Sequence, residues 1–466
     1  MNVLVLDCGS SALKATIFAA DGAVIASVDA GYPTEPALHR RDPLDWWRAT
    51  VDAVGKLPRE GIGAISLTGM MENLIAVDAA GEPAGEAVLY SDPVGATALE
   101  AVAAKLEAAG AMAILGNAPE PLMTAFKLMA LGAEGATRLL PGSKDFLALR
   151  LTGVAATDAS CASTTGLMDI GTRDWSDTLV DLLGIDRGLL PPVLPAEAVV
   201  GPLADAAADA LGLVAGIPVF NGCGDGAATT IGSGAERPDE VSVYLGTSGW
   251  VAGVTADADR APRPYYRLAH PLHAGLIEIA PILSAGAAAH WARHTLGLTL
   301  PESERLAAEV DAAPGSALFL PYQSGARSPF VDLEVRAGFV QVAASDSSAT
   351  LYYAALEGVA FAIAANVRAM GAAGPVYLVG GGARSTVWPQ VFADVLGRTV
   401  TVPKDPVLAA SLGAYRVAAR ALGLGAGEAA VGRVLQPRPE RAERIAAQAR
   451  AFERATAMLR ELARSD

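Results

Sequence analysis

Asp225 has the setting of a reactive carboxylate, because it lies in the glycine-rich segment Gly222-Cys223-Gly224-Asp225-Gly226-Ala227-Ala228. Two further turns rich in glycine and hydroxyl groups follow predicted strands: Asp7-Cys8-Gly9-Ser10-Ser11 and Leu245-Gly246-Thr247-Ser248-Gly249. Glycine lets backbone N–H groups converge on an oxyanion, and hydroxyl groups add further donors. An acid between two phosphate-holding turns favours one reaction: Asp225 takes a proton from an alcohol, which then attacks the terminal phosphate of ATP.

The elements that must position these turns occur twice along the chain. Val3-Leu4-Val5-Leu6 predicts a strand before the Asp7 turn, and the chain resumes as a strand at Thr16-Ile17-Phe18 and again after Asp21-Gly22. Val241–Leu245, the Gly246 turn and Trp250–Val254 repeat this hairpin in the second half. Two such halves predict a duplicated α/β domain with a cleft between the copies.

Other elements are marked by local signals. Asp42 followed by Pro43 predicts a helix start, with Asp42 as the N-cap. Ile217–Phe220 predicts the strand that leads to Asp225, and Val376–Val379 predicts a strand before Gly380-Gly381-Gly382-Ala383. The last helix is predicted to dock on the protein through one apolar face, formed by Ile445, Phe452, Leu459 and Leu462.

Composition limits the class of protein. A chain of 466 residues predicts two domains. The net charge of −15 argues against nucleic acid as a partner. Three scattered cysteines, Cys8, Cys161 and Cys223, fit a reducing compartment. We find neither a signal peptide nor an apolar run long enough to span a membrane, so we expect a soluble, cytoplasmic protein without a membrane partner.

The common nucleotide motifs do not explain the glycine turns. The chain has no P-loop GxxxxGK[ST] and no GxGxxG followed by a ribose-binding acid. A single Gly-Gly-Gly after a strand is more often a tight corner than a nucleotide site. The joint pattern of four turns at strand ends is the stronger signal.

Taken together, these segments resemble the FGGY carbohydrate kinases, and within them the xylulokinases most closely. The matching stretches extend over nearly the whole chain, and they are Asp7–Lys14, Gly69–Glu72, Leu149–Asp169, Arg173–Ser176, Gly222–Gly232, Leu245–Gly249, Phe319–Pro329 and Val379–Ser385. The resemblance implies an α/β fold of two ribonuclease H-like (actin/Hsp70-type) domains around an ATP/sugar cleft. It places the sugar and phosphate side in residues 1–222 and the nucleotide side in residues 223–466.

The same resemblance implies roles for individual residues. Asp225 would be the general base, and Asp7 would hold Mg²⁺ and complete the catalytic pair. The sugar or polyol would contact Met71, Glu72, Asp92, Asp225 and Gly226. ATP would contact Ser10, Ser11, Lys14, Gly246, Thr247, Ser248, Gly286, Gly381, Gly382, Ala383 and Thr386. Two of these have structural alternatives, since Lys14 could be a surface lysine on a hairpin and Gly286 could serve close helix packing.

The sequence departs from the xylulokinase pattern on the sugar side. Glu72 follows Met70-Met71 where xylulokinases carry a histidine, and the glycerol-kinase branch has a Glu at this position. Tyr90-Ser91-Asp92 lacks the arginine that follows it in xylulokinases, and Ala326 replaces an acid. Cys161 stands where an Asp is expected. An ionised Glu72 only accepts hydrogen bonds, so the hydroxyl pattern of the substrate is left open.

The sequence therefore predicts an ATP-dependent kinase acting on a ketopentose such as xylulose or on a related sugar or polyol. The alternative is an ATP-binding, sugar-sensing pseudokinase, or an actin/Hsp70-type conformational protein without phosphotransfer. We also allow for a homodimer.

Overall fold

The computed structural model describes residues 1–34, 39–255, 265–311, 314–425, 427 and 430–464. The chain begins with three antiparallel strands, β1 (Asn2–Cys8), β2 (Ala12–Phe18) and β3 (Val24–Gly31), as the sequence predicts. Val3–Leu6 are fully buried because β1 lies inside a six-stranded sheet. The order of that first sheet is β13 (Val199–Pro202), β14 (Pro218–Gly224), β5 (Ile62–Gly69), β1, β2, β3.

A second sheet repeats this plan. Its order is β17 (Tyr266–Ala269), β18 (Leu276–Ile282), β16 (Gly249–Thr255), β15 (Val241–Leu245), β21 (Val376–Val379), β22 (Val400–Pro403), β23 (Val431–Leu435). Three central strands run parallel in each sheet, β1, β5 and β14 in the first and β15, β21 and β22 in the second. An antiparallel hairpin flanks them on one side and an antiparallel edge strand on the other. The predicted duplication of an α/β domain is confirmed.

The remaining strands are short and pair in twos. They are β4 (Arg40–Arg41) with β7 (Ala87–Val88), β6 (Ile75–Val77) with β8 (Arg138–Leu140), β9 (Thr157–Asp158) with β12 (Val193–Leu194), β10 (Met168–Asp169) with β11 (Asp174–Trp175), and β19 (Leu318–Leu320) with β20 (Gly338–Val340).

Helices cover the sheets. They are α1 (Pro43–Gly55), α2 (Ala96–Ala108), α3 (Ala111–Leu115), α4 (Thr124–Leu131), α5 (Ser143–Thr152), α6 (Ala159–Ala162), α7 (Asp177–Leu183), α8 (Asp205–Leu211), α9 (Asp225–Ser233), α10 (Gly286–Thr295), α11 (Leu300–Asp311), α12 (Ser348–Met370), α13 (Trp388–Leu396), α14 (Ala409–Leu422) and α15 (Ala442–Ala463). The predicted cap of α1 is confirmed, since the Asp42 carboxylate accepts from the Leu44 N–H at 2.9 Å.

Two helices exchange between the halves. Helix α9 follows β14 of the first sheet, yet Ala227 and Ile231 pack with Leu268 and Ile277 of the second. Helix α14 follows β22 of the second sheet, yet its residues pack on the first, where Tyr415 stacks on Phe18 with ring centroids 4.9 Å apart.

The exchanged helices touch each other at two glycines. A Cβ on Gly232 would lie 1.8 Å from the Ala409 carbonyl oxygen, and one on Gly413 would lie 1.9 Å from that of Ala228. Only glycine allows backbones to approach this closely. The two domains are therefore joined through a tight helix crossing beneath the cleft.

Two sequence expectations concerning helices are corrected in part. The sequence analysis found no apolar run long enough to cross a membrane, whereas α12 has that length and composition; 78% of its most apolar window is buried inside the protein, as in a core helix. The predicted docking of α15 is confirmed for Ile445 and Phe452, which are buried, and for Leu459, which packs against the same core, but Leu462 is 67% exposed and was wrongly included. The domain ranges 1–222 and 223–466 stay a prediction; β14 continues across position 222 to Gly224.

Candidate active site

Three acidic residues follow the three parallel strands of the first sheet. Asp7 lies at the end of β1, Glu72 follows β5 by three residues, and Asp225 directly follows β14. In the register of the sheet, Gly69 pairs with Cys8 on one side and with Gly224 on the other. Since neighbouring strands lie about 4.8 Å apart, the ends of β1 and β14 are roughly 10 Å apart. Ligands of open α/β sheets bind at this carboxyl edge.

Asp225 opens helix α9, with Gly224 as the N-cap. Its Oδ1 accepts from the Gly226 N–H at 2.8 Å. Burial, together with the negative charge of Asp7, raises the pKa of Asp225 to about 7. A carboxyl group with a pKa near neutrality is suited to general-base work.

A buried polar network holds the backbone on which Asp225 is mounted. The Gly224 N–H donates to Ser160 Oγ at 2.9 Å, and that hydroxyl donates to Asp158 Oδ2. Lys144, which is fully buried, lies 2.7 Å from Asp145 and 3.1 Å from Asp158. Cys161, where the family pattern has an Asp, is a buried thiol beside this network.

Asp7 is half-buried, and desolvation raises its pKa to about 6, with Lys14 opposing the shift. Lys14 pairs with Asp7 across the β1–β2 hairpin, and its Nζ lies 2.6 Å from Asp29 Oδ1 on β3. Ser10 and Ser11 are exposed at the tip of the hairpin. The turn thus exposes the hydroxyls of Ser10 and Ser11 to solvent, whereas Lys14 is paired with the Asp29 carboxylate.

Glu72 is the most unusual residue on the sugar side. It has a left-handed backbone with φ of 59°, which costs of order 1 kcal/mol or more for a non-glycine residue. It is 8% exposed, and burial raises its pKa to about 7 although Lys127 and Arg327 oppose this. Within the described ranges, Glu72 Oε1 is buried without a hydrogen-bond partner. Such an atom is available to a ligand hydroxyl.

Lys127 holds the loops around Glu72. It is fully buried on α4, and its Nζ donates to the backbone oxygens of Glu72 at 2.7 Å and Leu89 at 2.9 Å. Burial lowers its pKa to about 8. The sequence analysis missed this residue, although a lone lysine in the apolar run Thr124–Leu131 is a usable signal, because Lys is rarely buried without a partner.

The other predicted sugar contacts differ in their surroundings. Asp92 is buried, pairs with Arg40 at 3.1 Å and caps a short 3₁₀ helix. Met71 packs over Gly224, where a Cβ would lie 2.1 Å from its Sδ. Gly226 faces Ile279 of the second sheet, and its N–H is used by Asp225, so the structure gives it a packing role.

The Gly246 turn ends β15 in the second sheet. The Gly246 carbonyl accepts from the Gly286 N–H at 2.9 Å, and the Thr247 carbonyl accepts from Ala287 at 2.9 Å. A Cβ on Gly286 would lie 2.3 Å from the Gly246 oxygen, which is the close helix packing considered as its alternative. Ser248 is exposed beside Thr247.

Tyr244 connects this turn with the acids of the first sheet. Burial raises its pKa to about 12, and the charges of Asp225 and Asp7 add to the shift. The charges of both acids therefore reach the end of β15, which agrees with a cleft shared by the two turns.

The Gly380–Ala383 turn follows β21. A Cβ on Gly381 would meet no atom within 4 Å, whereas one on Gly382 would lie 2.8 Å from Leu245 and 2.9 Å from Trp388. Ala383 is fully buried. Of these three residues, Gly381 is the one that borders open space.

Two charged side chains fix the ends of this turn. Glu304 of α11 accepts from the Thr386 N–H and hydroxyl, both at 2.9 Å, and from Ser385 at 3.0 Å. Arg433 of β23 donates to the Ser385 carbonyl at 2.9 Å and to the Ala383 carbonyl at 2.5 Å. Thr386 is thus engaged by the protein itself. Neither Glu304 nor Arg433 was anticipated, since both come from distant elements.

Comparisons with known proteins agree with this architecture, an actin/Hsp70-type pair of ribonuclease H-like domains. The crystal structure of a xyloylose kinase from Brucella ovis matches with a TM-score of 0.88 and 28% identity, over 99% of this chain and 100% of that one. The xylulose kinase of Escherichia coli is 30% identical over 433 residues, which are 89% of this chain and 88% of the relative. A glycerol kinase from Gloeobacter violaceus is 31% identical over 434 residues, or 86% and 84% of the two chains.

The models of the FGGY family of carbohydrate kinases match both halves, the N-terminal domain over residues 2–232 and the C-terminal domain over residues 241–422. The chain belongs to the FGGY family of carbohydrate kinases. It is a sugar kinase, and ATP as phosphoryl donor is implied by that family. Nothing in the comparisons supports the pseudokinase or actin-type alternative.

Proposed function

We propose that this protein transfers the γ-phosphate of ATP to a hydroxyl of a ketopentose such as xylulose, or of a closely related sugar or polyol. The observation that carries the proposal is the position of Asp225. It is half-buried at the carboxyl edge of the first sheet, where the charge of Asp7 raises its pKa, and its own charge raises the pKa of Tyr244, two residues before the Gly246 turn.

In the proposed reaction, the Asp225 carboxylate accepts the proton of the substrate hydroxyl as that oxygen attacks the γ-phosphorus. The bond between the γ-phosphorus and the bridging oxygen breaks, and ADP leaves. Ser10, Ser11, Gly246, Thr247 and Ser248 donate to the phosphates from both sides of the cleft. Lys14, held by Asp29, contributes positive charge behind the Asp7 turn.

Mg²⁺ fits the donors available at this site. Among the described residues, no group of three or more His, Cys, Asp or Glu side chains is arranged to hold a metal ion. Mg²⁺ usually takes one or two carboxylates and completes its shell with water and substrate phosphates. Asp7 would hold it, because the negative charge of Asp7 already raises the pKa of Asp225 and a cation there would offset this repulsion. The ion would supply charge neutralisation at the phosphates.

On the nucleotide side, Gly381 would border the adenosine, and Gly382, Ala383 and Thr386 would shape the turn around it. Gly286 would act by supporting the Gly246 turn from the N-terminus of α10. The open space at Gly381 supports the first of these roles, and the contacts that the other residues make within the protein support the remaining ones.

The choice between ketopentose and polyol depends on Glu72. Among the described residues its Oε1 has no partner and is suited to accept a hydrogen bond from a substrate hydroxyl, and we propose Met71, Asp92 and Gly226 as further sugar contacts. Xylulose kinases dominate among the similar proteins, and this favours a ketopentose; the glycerol kinase relative keeps a polyol in the test panel.

The experiment is a coupled ADP-release assay across pentuloses, hexuloses and polyols at fixed Mg²⁺–ATP, with the Asp225→Asn variant as the inactive control. We expect stimulation of at least about tenfold by one pentulose. If only glycerol or another polyol stimulates ADP release, the ketopentose assignment is wrong and the kinase class stands. Silence of the wild type across the whole panel would contradict the proposed phosphotransfer. We also propose that the substrate is a small molecule, that the protein acts in the cytoplasm and that two copies form a homodimer.

A further inference from the structure

The edge strand β17 of the second sheet is closed by side chains from the first domain. The Asn117 amide donates to the Arg267 carbonyl at 2.9 Å and accepts from the Arg267 N–H at 2.7 Å. Ser163 Oγ accepts from the Ala269 N–H at 2.9 Å. An edge strand normally leaves such groups unpaired. Here the backbone groups of β17 are hydrogen-bonded to Asn117 and Ser163, and these bonds hold the two domains together along one wall of the cleft.

At the end of this wall stands a charged contact between the domains. Glu120 of the first domain lies three residues after Asn117. It accepts from the Tyr266 hydroxyl at 2.9 Å and forms an ion pair with Arg327. The Arg327 guanidinium lies over the Tyr266 ring, 5.2 Å from its centroid. The side chains of Arg327 and Glu120 are 21% and 28% exposed, so solvent screens the pair only in part.

These three residues lie near the proposed acceptor site. Tyr266 pairs with Ile279 in the register of the second sheet, and a Cβ on Gly226, the neighbour of Asp225, would lie 3.0 Å from Ile279 Cδ1. The charge of Arg327 also opposes the raised pKa of Glu72, and burial and the charge of Glu72 both raise the pKa of Tyr266. Glu72 comes from the first domain, whereas Tyr266 and Arg327 come from the second.

We propose that Glu120, Tyr266 and Arg327 form a clamp between the two domains, which closes the sugar side of the cleft and couples ATP consumption to sugar phosphorylation. This inference rests on the proposed function. A base that deprotonates a sugar hydroxyl can equally deprotonate water, so a site of this kind must exclude water until the sugar is bound.

Without the clamp, water competes with the sugar. The water oxygen attacks the γ-phosphorus, its proton passes to Asp225, and the bond to the bridging oxygen breaks to give ADP and inorganic phosphate. The clamp residues are thus positioning residues. Their loss should raise the sugar KM and the sugar-independent ADP release together, while the KM for ATP stays the same.

The test uses the full chain with Glu120→Gln, Arg327→Met and the double variant, and measures ADP release with and without sugar. The matched control is Arg368→Met, which removes an exposed arginine paired with Glu453 at 3.0 Å within the second domain. We expect each clamp variant to raise the sugar KM and the sugar-independent fraction of ADP release roughly tenfold, as for loss of a partly buried charged hydrogen bond. The double variant should behave like either single one, because both remove the same contact.

A third variant, Tyr266→Phe, removes only the hydroxyl, so the sugar KM and the sugar-independent ADP release should each rise about threefold. This variant keeps the test decisive if Arg327→Met fails to fold. If all clamp variants stay within about twofold of Arg368→Met in both quantities, the clamp is refuted while sugar-stimulated ADP release by the wild type still supports the proposed function. A wild type that no sugar stimulates would overturn both.

Discussion

The carboxyl edges of the two sheets are built on the same plan and carry opposite chemistry. In the first sheet, the parallel strands lead to Asp7, Glu72 and Asp225, three acids whose pKa values are raised by desolvation. In the second sheet, the equivalent strands β15 and β21 lead to glycine turns without an acid, at Gly246 and Gly381. We propose that the duplicated fold separates two tasks. The acidic edge would accept the proton and select the acceptor, and the glycine edge would hold the nucleotide by its backbone.

The largest expected effect removes the base from the acidic edge. Asp225→Asn keeps the volume and the helix start but cannot accept the substrate proton, so kcat should fall by roughly 10²–10⁴ while ATP affinity is retained. Steady-state kinetics and calorimetric ATP titration measure the two quantities. Asp181→Asn, an exposed acid on α7, is the control and should be silent. A loss of kcat below about tenfold would remove Asp225 from the base role.

On the glycine edge, two neighbouring residues should respond differently to the same change. Gly381→Val places a side chain in open space, so the KM for ATP should rise at least about tenfold with little change in melting temperature. Gly382→Val forces a side chain against Leu245 and Trp388, so it should cost about 1–3 kcal/mol of stability. Thermal unfolding and ATP kinetics of the pair distinguish these outcomes. Equal loss of stability in both variants would contradict the assignment of open space at Gly381.

A third change tests whether Glu72 selects the acceptor. Glu72→Gln keeps the shape and removes the charge, so we expect the sugar KM to rise by about tenfold and the ATP KM to stay constant. Kinetics with both substrates varied give the two values. A change confined to the ATP KM would mean that Glu72 serves the nucleotide edge instead.

The smallest effect is on stability, and its sign follows from the raised pKa of Asp225. In the folded protein the pKa of this carboxyl group is about 7, whereas its ordinary pKa is 3.8. The folded state therefore binds more protons between these values, and the wild type loses stability as the pH rises from about 4 to 7. Asp225→Asn should consequently be more stable than wild type by roughly 1–3 kcal/mol at pH 8 and equal to it near pH 4.

Denaturant unfolding of the metal-free and nucleotide-free protein, in the presence of EDTA, measures this difference. A gap that stays constant between pH 4 and pH 8 would show that burial does not hold the proton on Asp225. A gap that opens as the pH rises from about 4 to 7 fits the acidic edge as a functional region that lowers stability.

The parts of the site that could be predicted are those encoded over short distances. Asp7, Asp225 and Gly246 each stand directly after a strand within a glycine-rich turn, so type and spacing suffice to indicate an anion site. The cap at Asp42 and the duplicated hairpin are local in the same sense, and both are confirmed. The sequence analysis overlooked that α12 has the length and composition of a membrane span, and only the fold shows that the helix is mostly buried, as in a core helix.

The residues that were missed act through contacts between distant segments. Lys127 reaches the backbone of Glu72 from a helix 55 positions away, and Glu120 meets Tyr266 at a separation of 146. No periodicity or turn signal encodes such a pair. The left-handed backbone of Glu72 was equally hidden, since a glutamate seldom adopts it without support from its surroundings.

The sequence by itself determined the two-domain fold, the duplicated strand–turn–strand units and the position of the acid that we propose as the base. Strand patterning and glycine-rich turns are local properties, and they persist wherever the segment is placed. The tertiary structure alone decided the exchange of α9 and α14 between the sheets, the desolvation that brings the pKa of Asp225 close to neutrality, and the contacts of Glu120 with Tyr266 and Arg327 between the domains. Each of these depends on which surfaces exclude water together, and that is fixed only when both domains are assembled.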